Sequence, residues 1–203
     1  MIDKKISNEF QNNGVVLLKK IIDQKWIEEL RKGIEYNFQN PSKYKCVYEE
    51  VNNQEVFYDD YCNWQRIKEY KNFIFNSDIA KIAGSLMQSN KVNLFHEHVL
   101  IKEKGSKKRT PWHQDQGYYC VQGRDNVSIW IPLDKIDINS SMEFILGSHK
   151  WDKIFLPTKF KGNDYEHKDK EFEKIPDIEN NRKDYEIISY ECCLLYTSPS
   201  PRD

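Results

Sequence analysis

Upstream of residue 91 apolar side chains recur at every third or fourth position; downstream they recur at every second. That change of period most limits the fold, because a spacing near 3.6 covers one face of a helix and a spacing of two covers one face of a strand. In the upstream part, Asp23 is placed to cap a helix that runs to Phe38, with Trp26, Leu30, Ile34 and Phe38 on one side and Asn40-Pro41 as its stop. A second helical pattern spans Ser77 to Gln88, with Ile79, Ile82, Ala83 and Leu86 together. The short run Gly14-Val-Val-Leu-Leu predicts a strand, and residues 44–64 read as extended or irregular.

Downstream, Val92–Lys102, Trp112–Val121, Asn126–Asp134 and Met142–Leu146 predict strands bounded by Gly, Asn, Asp or Ser. Helices succeeded by a run of strands give an α+β chain, and a jelly roll (double-stranded β-helix) with helices packed outside one sheet fits this order. Residues 159–184 are polar enough to form a long loop, and a last strand starts at Tyr185-Glu-Ile-Ile-Ser-Tyr-Glu. The serine-spaced prolines Pro199 and Pro201 are expected to keep the residues after Glu191 out of any central strand, since proline has no N–H. Residues 1–191 therefore read as one domain that lacks its last strands. Residues 192–203 read as a tail closer to a translated adapter sequence than to native protein.

Charge narrows the partners. The 203 residues carry a net charge of -1, so nothing favours nucleic acid or an anionic membrane. No stretch approaches the roughly 18 apolar residues of a membrane span, and the N-terminus has no apolar core of a signal peptide. The five cysteines are odd in number and without CxxC spacing, which predicts reduced thiols in a cytoplasmic protein.

The chemistry concentrates in Thr110-Pro-Trp-His-Gln-Asp-Gln-Gly-Tyr. On a strand, positions i and i+2 face one side, so the His113 imidazole and the Asp115 carboxylate would converge. One imidazole and one carboxylate are two thirds of the 2-His-1-carboxylate triad that leaves open positions on Fe(II). Taken alone, His-x-Asp also suits a surface histidine beside an aspartate. A rival set is His96-Glu-His98 with Glu103, which has the order of a cupin metal motif without its bracketing glycines.

Three blocks together are more specific: Val99-Leu-Ile-Lys-Glu-Lys-Gly105 leading to Thr110-Pro-Trp-His-Gln-Asp-Gln, then Ser128-Ile-Trp-Ile-Pro-Leu-Asp134, then Met142-Glu-Phe-Ile-Leu-Gly-Ser-His-Lys150. In order and spacing they resemble the phytanoyl-CoA dioxygenase family, most densely over residues 92–157. The resemblance implies an Fe(II)/2-oxoglutarate-dependent dioxygenase that uses O2 to hydroxylate a small organic substrate and releases succinate and carbon dioxide. It implies His113 and Asp115 as iron ligands and Lys102 as a contact for a 2-oxoglutarate carboxylate, although a solvated lysine explains Lys102 equally well. Trp130 matches a tryptophan lining the co-substrate pocket, or is plain core. Gln116 and Tyr118 could face substrate. His149 reads as part of a turn.

The sequence departs from the family at two turns, Ser140-Ser141 and Leu146-Gly-Ser-His. The family's distal histidine, after a Gly-Asp pair, and its co-substrate arginine have no counterpart motif, which predicts a chain that stops about one strand short. His167, in a charged stretch, is a poor substitute ligand. Without a third ligand, a catalytically inactive jelly-roll binding protein is the alternative. Substrate identity is not legible.

Overall fold

The computed structural model describes residues 2–103, 105–121, 123–158, 172–192 and 196–200. They form helices and antiparallel sheets, the expected α+β composition. In order these are α1 (Lys4–Asn13), β1 (Leu18–Lys19), α2 (Gln24–Gln39), β2 (Cys46–Val51), β3 (Gln54–Tyr61), α3 (Lys68–Asn76) and α4 (Ile79–Met87), then β4 (His98–Lys102), β5 (Ser128–Trp130), β6 (Glu143–Ile145), β7 (Ile187–Ser189) and β8 (Tyr196–Ser200). The chain folds into two compact units. The first holds residues 1–23, 81–92 and 111–203, and the second holds residues 24–80 and 93–110.

In the first unit, α1 is closed at both ends by local chemistry. The Asp3 carboxylate accepts from the Lys5 N–H, and Gly14, at φ 83°, returns its N–H to the Phe10 carbonyl. Polar residues dominate α1, so it has no apolar period to mark it, and the sequence reading did not place a helix there. Phe10, Val15, Val16, Leu18, Leu86 and Phe144 form much of the buried core. The predicted 14–18 strand shrinks to the two residues of β1. The described residues of this unit form two sheets, β1-β8-β5 and β6-β7.

The expectation that Pro199 cannot occupy a central strand is not met. β8 lies between β1 and β5, with Pro199 opposite Ile129. The reason is local: β1 reaches only Thr197 and Tyr196. At Pro199 the strand has one neighbour and is in effect an edge, where a missing N–H is tolerated.

In the second unit, α2 matches its predicted span, but its buried positions are Ile27, Gly33 and Asn37, and Phe38 is exposed. Gly33 is needed for contact: a Cβ there would sit 2.6 Å from the Tyr70 ring of α3. The stretch read as irregular is a hairpin, β2–β3, turning on Asn52 and Asn53 with φ 52° and 62°. Two consecutive left-handed residues are the geometry of a type I′ turn, which asparagine tolerates. β4 completes the sheet in the order β2-β3-β4. It begins six residues later than the predicted Val92, because Glu97 is turned to other partners. The Glu97 carbonyl accepts the Cys62 N–H at 3.2 Å, and its carboxylate accepts the N–H groups of Asn63 and Trp64.

Candidate metal centre

The strand expected over Trp112–Val121 is absent, yet the convergence it was meant to explain is present. Gln114 is extended, at φ -125° and ψ 122°, and from Asp115 to Tyr118 the chain turns into one 3-10 turn. One extended residue between them suffices to bring His113 and Asp115 to the same side. The turn is closed by Gly117 N–H to Gln114 O (3.2 Å) and Tyr119 N–H to Gln116 O (3.3 Å). Gly117 permits the close approach of the neighbouring chain, since a Cβ there would meet the Phe155 carbonyl oxygen at 2.5 Å. The intervening Gln114 is buried and works as a clasp. Its amide donates to Lys153 O at 3.2 Å and accepts from Phe155 N–H at 3.0 Å.

His113 Nε2 faces Asp115 Oδ1 at 3.5 Å. The far atom of each group is held by a neighbour. His113 Nδ1–H donates to the Pro111 carbonyl at 2.8 Å. In a neutral ring this puts the lone pair on Nε2. Asp115 Oδ2 accepts from Ser128 Oγ at 2.6 Å and from Tyr119 Oη at 3.0 Å. Burial pushes the Asp115 carboxyl up, but a protonated His113 beside it and the hydrogen bonds from Ser128 and Tyr119 outweigh burial and hold the group below the usual aspartate value. A histidine nitrogen and an ionised carboxylate oxygen side by side, with their other atoms anchored, suit a divalent first-row metal such as iron.

The remaining candidates separate. Tyr118 stands edge-on to the His113 ring, centroids 5.9 Å apart, and its hydroxyl donates to Thr158 O at 2.6 Å. Gln116 is buried, with its amide donating to Val121 O and accepting from Asn126 Nδ2. Trp130 is half-buried on β5, two residues from Ser128. Lys102 belongs to the second unit, where its Nζ lies 5.0 Å over the Phe57 ring. Burial lowers its pKa, against the opposing pull of Glu49. His149 is in the expected turn, with Nε2 3.1 Å from Gln11 O. His167 lies outside the described residues.

The cupin-like alternative is overturned. Among the described residues no three His, Cys, Asp or Glu side chains gather in a group able to hold a metal, so His96, His98 and Glu103 do not converge. His98 instead turns Nε2 to Asp59 Oδ2 at 2.7 Å. The same observation means that no third ligand joins His113 and Asp115 among the described residues. The supporting side chains Ser128 and Tyr119 were missed in the sequence; a hydroxyl carries no motif, and its use becomes visible only once β5 and the turn are folded.

Known structures share this fold. The non-heme alpha ketoglutarate dependent carbocyclase SnoK from nogalamycin biosynthesis superposes with a TM-score of 0.70 at 13% identity, over 99% of this chain and 76% of that one. EctD from S. alaskensis in its apoform gives 0.72 at 14%, over 98% and 68%. The epimerase SnoN, in complex with Fe3+, alpha ketoglutarate and nogalamycin RO, gives 0.69 at 15%, over 98% and 74%. The fold is thus one found in iron- and 2-oxoglutarate-dependent oxygenases. No curated protein matches the sequence. The family model described as Phytanoyl-CoA dioxygenase (PhyH) matches residues 10–193, and the chain belongs to that family. Membership makes it an oxidoreductase of the iron- and 2-oxoglutarate-dependent dioxygenase class.

Proposed function

We propose that His113 and Asp115 are two ligands of a catalytic iron, and that the protein hydroxylates a small organic substrate while 2-oxoglutarate is decarboxylated to succinate. The observation that carries this is the 3.5 Å approach of His113 Nε2 to Asp115 Oδ1, with Pro111, Ser128 and Tyr119 holding the opposite atoms of the two groups. Bound Fe(II) would supply the oxygen-activating chemistry. The chain's own part is orientation: Pro111 fixes the tautomer of His113, and the two hydroxyls fix the rotation of Asp115 and keep it ionised. On this reading a third histidine completes the ligand set, the fold is a double-stranded β-helix, and Trp130 contacts the co-substrate as the resemblance implies.

The test is iron binding and substrate-dependent succinate formation by the protein with its full ligand set, against His113→Ala and Asp115→Ala. Each substitution is expected to lower iron affinity roughly a hundredfold or more and to abolish succinate formation. Unchanged affinity in either variant would remove that residue from the centre and the proposal with it.

A further inference from the structure

In the second unit, β2, β3 and β4 gather three polar side chains that the proposed iron centre does not use. Asp59 is buried, 3% exposed. Its Oδ2 accepts from Tyr48 Oη at 2.8 Å and faces His98 Nε2 at 2.7 Å. Its Oδ1 is buried and has no hydrogen-bond partner among the described residues. A buried carboxylate oxygen that no protein group satisfies costs stability and calls for an explanation.

The arrangement fixes His98. A carboxylate only accepts, so at 2.7 Å Nε2 must carry the hydrogen. In the neutral ring the lone pair is then on Nδ1, on a side chain that is 42% exposed. Burial, and after it the hydrogen bond to Asp59, drives the Tyr48 phenol far above its usual range, so Tyr48 stays a donor. Aromatic neighbours stand around His98. The Tyr61 ring is edge-on at 5.7 Å, and the His96 ring lies at 6.3 Å with an interplanar angle of 27°. Cross-strand register places His98, Leu100 and Lys102 of β4 beside Tyr61, Asp59 and Phe57 of β3, with the three β4 side chains exposed.

We propose that Asp59, Tyr48 and His98 form an acid–base site that takes a small polar ligand through a hydroxyl or a protonated amine, which donates to His98 Nδ1 while Asp59 holds the ring.

The experiment needs neither iron nor 2-oxoglutarate, so its failure is distinct from failure of the iron centre. The metal-free chain, labelled with nitrogen-15 histidine, is studied by NMR above the ordinary histidine range and titrated with ethanolamine, a probe with both donor types. His98 is expected to show a protonated Nε2, an unprotonated Nδ1, and a saturable shift at Nδ1. In Asp59→Asn the tautomer preference should vanish and ethanolamine should bind about tenfold more weakly. His98→Phe changes an exposed position and should fold whatever Asp59→Asn does; ethanolamine binding measured by calorimetry should disappear in it. A protonated Nδ1 in the unsubstituted chain, no saturable shift, or binding retained in His98→Phe overturns the proposal.

Discussion

Asp60 in the second unit, buried, and Asp115 in the first, half-buried, are both carboxylates held below the usual aspartate range, yet they are built for different ends. Asp60 has donors on both oxygens. Oδ2 accepts from Asn37 Nδ2 (2.9 Å) and Ser42 N (2.8 Å), and Oδ1 from Ser42 Oγ (2.5 Å) and Tyr61 N (2.9 Å). Asp115 has its hydroxyl donors on one oxygen only, and the other is turned to His113. Donors on both oxygens tie α2, Ser42 and β3 together through Asp60; hydroxyls on one oxygen leave Asp115 with the other for something else. The distribution of donors over the two oxygens, more than burial or acidity, separates a structural carboxylate from a ligand.

The largest expected effect tests the structural side of that contrast. Asp60→Ala strands the buried amide of Asn37 and the N–H groups of Ser42 and Tyr61, and should lower unfolding free energy by about 3 kcal/mol in urea titration. Asp115→Ala should lower it much less, since its strongest partners are hydroxyls that can turn elsewhere. Equal losses would break the comparison. Acid titration sharpens it. Burial raises the Asp60 pKa, but its hydrogen bonds to Ser42, Asn63 and Asn37 outweigh burial, so the pKa is lower folded than unfolded. Its stabilisation is therefore complete above the ordinary aspartate range and is lost as pH falls through the lowered folded value. Asp60→Asn, which cannot titrate, should make unfolding less pH-dependent in that acid window, as followed by circular dichroism.

The next effect belongs to the ligand side. Ser128→Ala removes one of the two hydroxyls on Asp115 Oδ2 and should weaken metal binding about tenfold, measured by competition with a chelator. The same substitution should change stability by less than about 1 kcal/mol. Tyr119→Phe removes the longer bond, 3.0 Å against 2.6 Å, and should weaken binding less than Ser128→Ala. A stability loss without a loss of affinity would make Asp115 a second Asp60.

This difference explains what was legible in the sequence. The pairing of His113 with Asp115 could be read because it needs only two residue types at a fixed spacing; its strand could not, because a single extended residue, Gln114, gives the same convergence as a full strand. Helix α2 was legible from its period, while α1 was hidden by polar residues and defined by Asp3 and Gly14 at its ends. The Asp60 hub had no signature at all: Asn37, Ser42 and Asp60 are ordinary polar residues until a helix, a turn and a strand bring them together. The hairpin was different, since Asn52-Asn53 between two Tyr- and Val-rich runs is a turn signal that was there to be used.

That turn supplies the smallest effect and a control on the contrast. Asn52 and Asn53 both hold positive φ, 52° and 62°, which an asparagine side chain accepts less readily than glycine. Asn53→Gly should therefore relieve strain at the second turn position, the place a type I′ hairpin favours glycine, and raise stability by about 0.5 kcal/mol after the added freedom of the unfolded chain is subtracted. Asn53→Val, whose branched side chain resists a left-handed backbone, should lower it by about 1 kcal/mol or more. The turn lies between β2 and β3, and β3 carries Asp60, so both changes act on the framework that Asp60 serves. Asn53 belongs to the second unit, whereas His113, Asp115, Ser128 and Tyr119 belong to the first, and metal affinity should stay the same in both variants. If affinity moved with hairpin stability, the ligand pair would depend on the second unit's framework, and a clean division between a structural and a ligating carboxylate would no longer hold.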